Sequence, residues 1–247
     1  MTRTKGAFLP LRVTSWIILS SPPPARAETG SWSDETEVSL TMNRPESVEG
    51  HMRMGDLESV PSLRRSLLMG GVGFGLVSLC VFATVAFAER WMYAQLGLLG
   101  AYLAWTTLFI LLGGAVLGSL VAGRWRLPRF YLLFGLAFFA YAAGWVGAYF
   151  VLRGAAGEWV GSLAGSLLMG FVLAVGFGTV RSALKLSAIL FVANSAGYFL
   201  GSALNNWIGA TAGMLLWGAA YGLSLGAGLG AVLHLAQVQR SGSLASK

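Results

Sequence analysis

Few residues inside the apolar stretches of this 247-residue chain could do chemistry, and those that could are uncharged. Asn194 is an amide in the middle of such a stretch. Asn205 follows eleven residues later, about three helical turns on and some 20° round the helix. Gly201 shares that face. Thr106, Thr107 and Ser224 fall at a similar depth in other stretches. Together the five form a candidate polar site that would suit a small neutral solute. The simpler alternative is that the amides and hydroxyls bond to one another or to backbone, each bond stabilising by ~0.6 to 2 kcal/mol in lipid.

Catalytic chemistry finds little to work with. His51 and His234 are the only histidines, which leaves no HExxH zinc site and no bis-histidine haem ligation. Cys80 is the only cysteine and reads as a small packing residue. The segment Gly70 to Gly75, GGVGFG, has G-x-G spacing but follows no strand, so it does not read as a nucleotide loop. A serine hydrolase would need a serine within hydrogen-bond reach of a base. Ser162 and Ser166 enter their helix from the opposite end to His234 and stand some ~20 Å from its level. No catalytic residue, cofactor or metal site is expected.

The elements that would position these groups follow from composition. Hydrophobic residues make up 55% of the chain and charged ones 11%, with 34 glycines. A soluble domain carries about 25% charge, so the expected class is an all-α integral membrane protein. A bilayer core of about 30 Å needs roughly 20 helical residues. Six stretches satisfy that, at Ser66 to Ala88, Leu96 to Val121, Phe130 to Leu152, Trp159 to Val180, Leu186 to Ile208 and Thr211 to Leu235, none with an internal charge. Period-two alternation, the mark of a lipid-facing barrel strand, is missing from them.

Charge then orients the bundle. Arg64, Arg65, Arg124, Arg126, Arg129, Arg181, Lys185, Arg240 and Lys247 would share one face, against Arg90 and Arg153 on the other. The positive-inside rule makes this six-helix bundle N-in and C-in, in a cell (inner) membrane with both termini cytoplasmic. Trp91, Tyr93, Trp159 and Trp207 would sit at the outer boundary and Trp125 at the inner one. The net charge of +7 is spread singly between apolar runs, which suits anionic lipid headgroups at Arg124, Arg126, Arg129, Arg181 and Lys185 and not nucleic acid. Residues 1–65, with eight Lys/Arg and eight Asp/Glu, read as a disordered tail or an over-extended start, 66–235 as the transmembrane domain and 236–247 as a cytoplasmic tail.

Small residues four apart mark the packing faces. Gly161 and Gly165 lie on the fourth stretch, with Gly170, Ala174 and Gly178 after them; Gly197 and Gly201 lie on the fifth, and Gly218, Gly222, Gly226 and Gly230 on the sixth. In lipid such stripes allow close backbone approach, so the last three helices are expected to form a tight sub-bundle. The stripes also offer a face for a homo- or hetero-oligomer. The string SLLMG recurs at Ser66 and Ser166, but out of register for an inverted repeat. Two functions compete: passage of a small neutral solute past Asn194, and a non-catalytic assembly subunit that binds partner helices.

Overall fold

The computed structural model describes residues 60–123 and 126–245, without the side chains of Arg126 and residues 243–245. Residues 1–59 of the expected tail, Arg124, Trp125 and Lys247 lie outside these. The described chain is helical, with five helices long and apolar enough to cross a membrane. They are α1 (Leu63–Gly118), α2 (Arg126–Leu152), α3 (Gly154–Phe177), α4 (Ala183–Ile208) and α5 (Ala210–Ala245), with a 3₁₀ turn at Val180–Ser182 before α4.

The expectation of six separate helices is corrected at α1, which runs for 56 residues through the first two predicted stretches. The segment between them, Glu89 to Gln95, lies outside both predicted stretches. Its residues are good helix formers, and it stays helical. The break falls at one residue. Gly97, with φ 65° and ψ −179°, is the non-helical position inside α1, in a region of backbone space where a side chain is unwelcome. There α1 doubles back. A straight helix would hold Phe74 and Phe109 about 50 Å apart, yet their rings stack at 5.7 Å. Tyr93 likewise meets Trp105 edge-on at 5.7 Å. The two arms, 63–96 and 98–118, are antiparallel neighbours.

Other ends also differ from the sequence expectation. Gly178, read above as part of a packing stripe, instead caps α3 in the left-handed conformation. The amide of the next residue, Thr179, donates back to the Ala174 carbonyl at 2.8 Å, which satisfies a carbonyl left open at the helix end. The helix α5 continues ten residues past its predicted limit, with Ala236 and Gln237 both buried.

Each glycine stripe is filled from within the chain. Gly157, Gly161 and Gly165 of α3 face Tyr149, Trp145 and Tyr141 of α2. Gly197 and Gly201 of α4 face Tyr221 and Trp217 of α5, while Gly170 of α3 faces Ser187 of α4. The long series on α5 packs antiparallel on the first arm of α1, with Gly230 on Ser66, Gly226 on Gly70, Gly222 on Phe74 and Ser78, and Gly218 on Phe82. The main partner of α5 is therefore α1 as well as α4, and the last helix closes on the first. This widens the expected sub-bundle of three into a ring.

The centre of that ring is filled by aromatic side chains. Phe74 contacts Phe109 and Phe134, Phe109 contacts Phe138, and Phe130, Phe134 and Phe138 follow one another along α2. These ring centroids lie 5.3 to 6.5 Å apart, within the range in which offset and edge-to-face pairs attract. The outer surface is the reverse of a soluble protein's. Leu76, Phe87, Leu99, Leu132, Val192 and Leu200 are all more than half exposed, a pattern that lipid tolerates and water does not.

A buried polar knot as candidate functional site

Of the five polar residues singled out from sequence, Asn194 lies on the bundle interior with no exposed surface. Its two partners lie on two other helices, and the network around it extends to a third and back to its own. The Tyr141 hydroxyl on α2 donates to Asn194 Oδ1 at 2.7 Å. The Asn194 amide donates to Ser162 Oγ on α3 at 2.8 Å. Ser162 and Ser195 hydroxyls pair at 2.7 Å, and the Tyr141 and Tyr221 hydroxyls at 3.1 Å. Since the Tyr141 proton goes to Asn194, its oxygen receives the proton of Tyr221 on α5. The result is a continuous hydrogen-bond chain from α5 through α2 and α4 to α3.

Burial explains why the chain must be complete. A hydroxyl or amide left without a partner in an apolar interior costs about 1 to 3 kcal/mol. All five members are at most 8% exposed. The glycines make room for it: Gly165 lies against the Tyr141 ring, and Gly197 lies against the Tyr221 backbone and the Ser224 side chain.

The other four candidates are placed elsewhere. Ser224 bonds from Oγ to the Ala193 carbonyl at 2.6 Å, tying α5 to α4 at the rim. Thr107 is exposed, its hydroxyl returned to the Leu103 carbonyl of its own helix at 2.7 Å. Thr106 is half-buried on the same arm of α1. Asn205 stands in the last turn of α4, where its carbonyl accepts the Gly209 amide at 2.8 Å. The structure thus brings Asn194 together with hydroxyls that the sequence reading did not select.

Tyr141, Tyr221 and Ser195 were missed, although a signal existed for the tyrosines. Tyrosine favours the membrane boundary, whereas Tyr141 and Tyr221 stand near the centres of their predicted stretches. A mid-membrane phenol needs a partner for its O–H. The Ser162 oxygen, instead of facing a base, is occupied by Asn194 and Ser195.

Toward the end that carries the Gly97 reversal, the interior turns amphipathic. Trp145 stacks on Tyr149 at 5.2 Å, and Tyr198 lies between Trp145 and Trp217 at 5.7 and 5.5 Å. Tyr93 faces Glu89, and Tyr198 faces Glu158. These are the two acidic residues of the described chain.

The opposite end is sealed by a second polar group that the sequence reading did not select. Gln237 of α5 accepts from the Ala122 amide at 2.8 Å and donates to the Leu120 carbonyl at 3.0 Å. One side chain thereby caps the exit from α1. His234, three residues earlier, donates from Nδ1 to the Pro61 carbonyl at 2.8 Å. Of the expected lipid-facing cations, Arg129, Arg181 and Lys185 are exposed. No family model, curated protein or solved structure matches this chain.

Proposed function

We propose that this chain crosses the bilayer six times, both termini on the cation-rich cytoplasmic side of a cell membrane, as a closed, non-catalytic bundle that works through its outer surface in a membrane assembly. The two arms of α1 count as two crossings, because each exceeds the roughly 20 residues that a crossing needs. Exposed Trp91, Trp159 and Trp207 at the end away from Arg181 and Lys185 support this orientation.

The observation that carries the reading is the filled interior. Phenylalanine rings occupy one half of the axis, and the polar knot, with its donors directed at acceptors inside the bundle, occupies the middle. A permeation path would have to break that knot and displace those rings. Cysteine accessibility tests this in a Cys80→Ser background. Cysteines at positions 162 and 194 should resist a membrane-impermeant thiol reagent while cysteines in the outer turns react. Affinity purification from mild detergent should bring one protein down in fixed ratio. Reaction at both interior positions in intact membranes would refute the closed bundle.

One observation favours the second reading, passage of a small neutral solute. Four helices converge on Asn194, and the aromatic, two-carboxylate end stands above it. Under this reading the knot is the closed form of the solute site. Labelling at position 194 that a solute protects would favour it.

A further inference from the structure

Between α4 and α5, beside the start of α1, a groove of about 600 Å³ opens sideways, away from the bundle axis. Its floor is made of small residues, Ala188, Ala193, Ala196 and Ala227 among them, and its rim includes Leu67 and Val192. Lys185 lines one end and Ser224 the other. The Ser224 hydroxyl is already engaged with the Ala193 carbonyl, so the groove presents apolar carbon along its length and a single ammonium at its mouth.

We infer that this groove is a binding site for one anionic phospholipid, an acyl chain lying along the alanine floor and the headgroup phosphate paired with Lys185. Three observations select this occupant. From Lys185 to Ala196 the helix rises about 16 Å, half of a hydrocarbon core of about 30 Å. That is the depth of one leaflet, and a partner helix would need the full thickness. Lys185 is exposed and the two acidic residues of the described chain, Glu89 and Glu158, stand at the other end of the bundle. Arg181, exposed one turn earlier, lies outside the groove lining. A small polar solute would find no free hydrogen-bonding group on the floor.

The inference rests on the membrane reading above, and it deepens the contact expected of Lys185 from general attraction to a built site. Basic residues at a membrane surface favour anionic lipid by about fivefold each. The test uses the purified full chain in micelles, titrated with phosphatidylglycerol or phosphatidylcholine of identical acyl chains, with bound lipid counted by native mass spectrometry. The wild type should retain one phosphatidylglycerol about fivefold more tightly than phosphatidylcholine. Lys185→Ala should abolish the preference and keep the weaker acyl binding. Ala196→Trp, which fills the exposed deep end of the groove, should remove both; Ala188→Trp serves if that variant does not fold.

Equal retention of the two lipids by the wild type would overturn the site. So would unchanged phosphatidylglycerol binding in the folded tryptophan variant, or a changed oligomer size in place of lost lipid. Binding in micelles does not depend on orientation. A reporter fused after Lys247 that is active only outside the cell would therefore refute the proposed topology and leave the lipid site standing.

Discussion

Adding one methyl group to the α1/α5 seam tests the ring closure most directly. At Gly226 a Cβ would abut the Gly70 carbonyl oxygen and lie 2.6 Å from Phe74 Cβ. Carbon contacts are optimal near 3.5 to 4.0 Å, so the helices would have to part by roughly 1 Å, and a gap of that size forfeits a quarter to half of each neighbouring dispersion contact. Neither obstacle can swing aside, since one is backbone and the other a Cβ. Overpacking of this kind costs about 1 to 3 kcal/mol, and the gain of up to ~1 kcal/mol from replacing helical glycine by alanine offsets part of it. Gly226→Ala should therefore lose about 1 to 2 kcal/mol, measured by reversible unfolding of the purified chain in mixed micelles. Gly147→Ala is the matched control: its Cβ would meet nothing within 4 Å, and the helix gain should make it neutral or stabilising. Gly135→Ala, with Ile110 at an ordinary 3.5 Å, should behave like the control. Equal stability of Gly226→Ala and Gly147→Ala would refute the seam.

The polar groups yield three further expectations. Asn194→Leu removes the amide that joins Tyr141 to Ser162 and should cost about 1 to 3 kcal/mol; in a double-mutant cycle with Tyr141→Phe the two losses should be less than additive by 0.5 kcal/mol or more, and strict additivity would break the proposed bond. Tyr221→Phe should cost less than Tyr141→Phe, because it removes only a donor to Tyr141, whereas the latter leaves the Asn194 carbonyl without its proton; the reverse order would mean that the hydrogen-bond direction is wrong. Gln237→Leu leaves the Ala122 amide and the Leu120 carbonyl without their side-chain partner at the end of α1, and amide exchange at Ala122 should accelerate by tenfold or more for a loss of about 1.4 kcal/mol.

Much of the helical layout was legible because solvent sets it. An apolar run of more than twenty residues leaves the backbone few choices in lipid, and four of the six predicted stretches ended within a few residues of real helix boundaries. What was not legible was how little chain a reversal needs. Glu89 to Gln95 separates two apolar stretches by its polarity, yet nothing in those residues opposes a helix, and a single glycine turned the chain. The glycine stripes announced close packing but not its address. Gly218 to Gly230 carries no label distinguishing α1 from α4 or from another subunit, because a stripe of hydrogens fits any smooth face. The knot was half legible for the same reason: Asn194 stood out by type, while the hydroxyls that satisfy it are common residues whose placement depends on which helices become neighbours.

The filled stripes bear on what the outer surface is left to do. The glycine stripes on α3, α4 and α5 are taken by tyrosine, tryptophan, serine, phenylalanine or glycine residues of the same chain. Outside, the helices mostly present leucine, valine and phenylalanine, which gain little by leaving one hydrocarbon for another. Recessed alanines along the α4/α5 groove are an exception, and they lie beside an exposed lysine. A surface of that kind favours a flexible chain that can follow the recess over a rigid helix that must bridge it. Interaction through this face is accordingly expected to depend on the lipid present, whichever protein neighbours the bundle has.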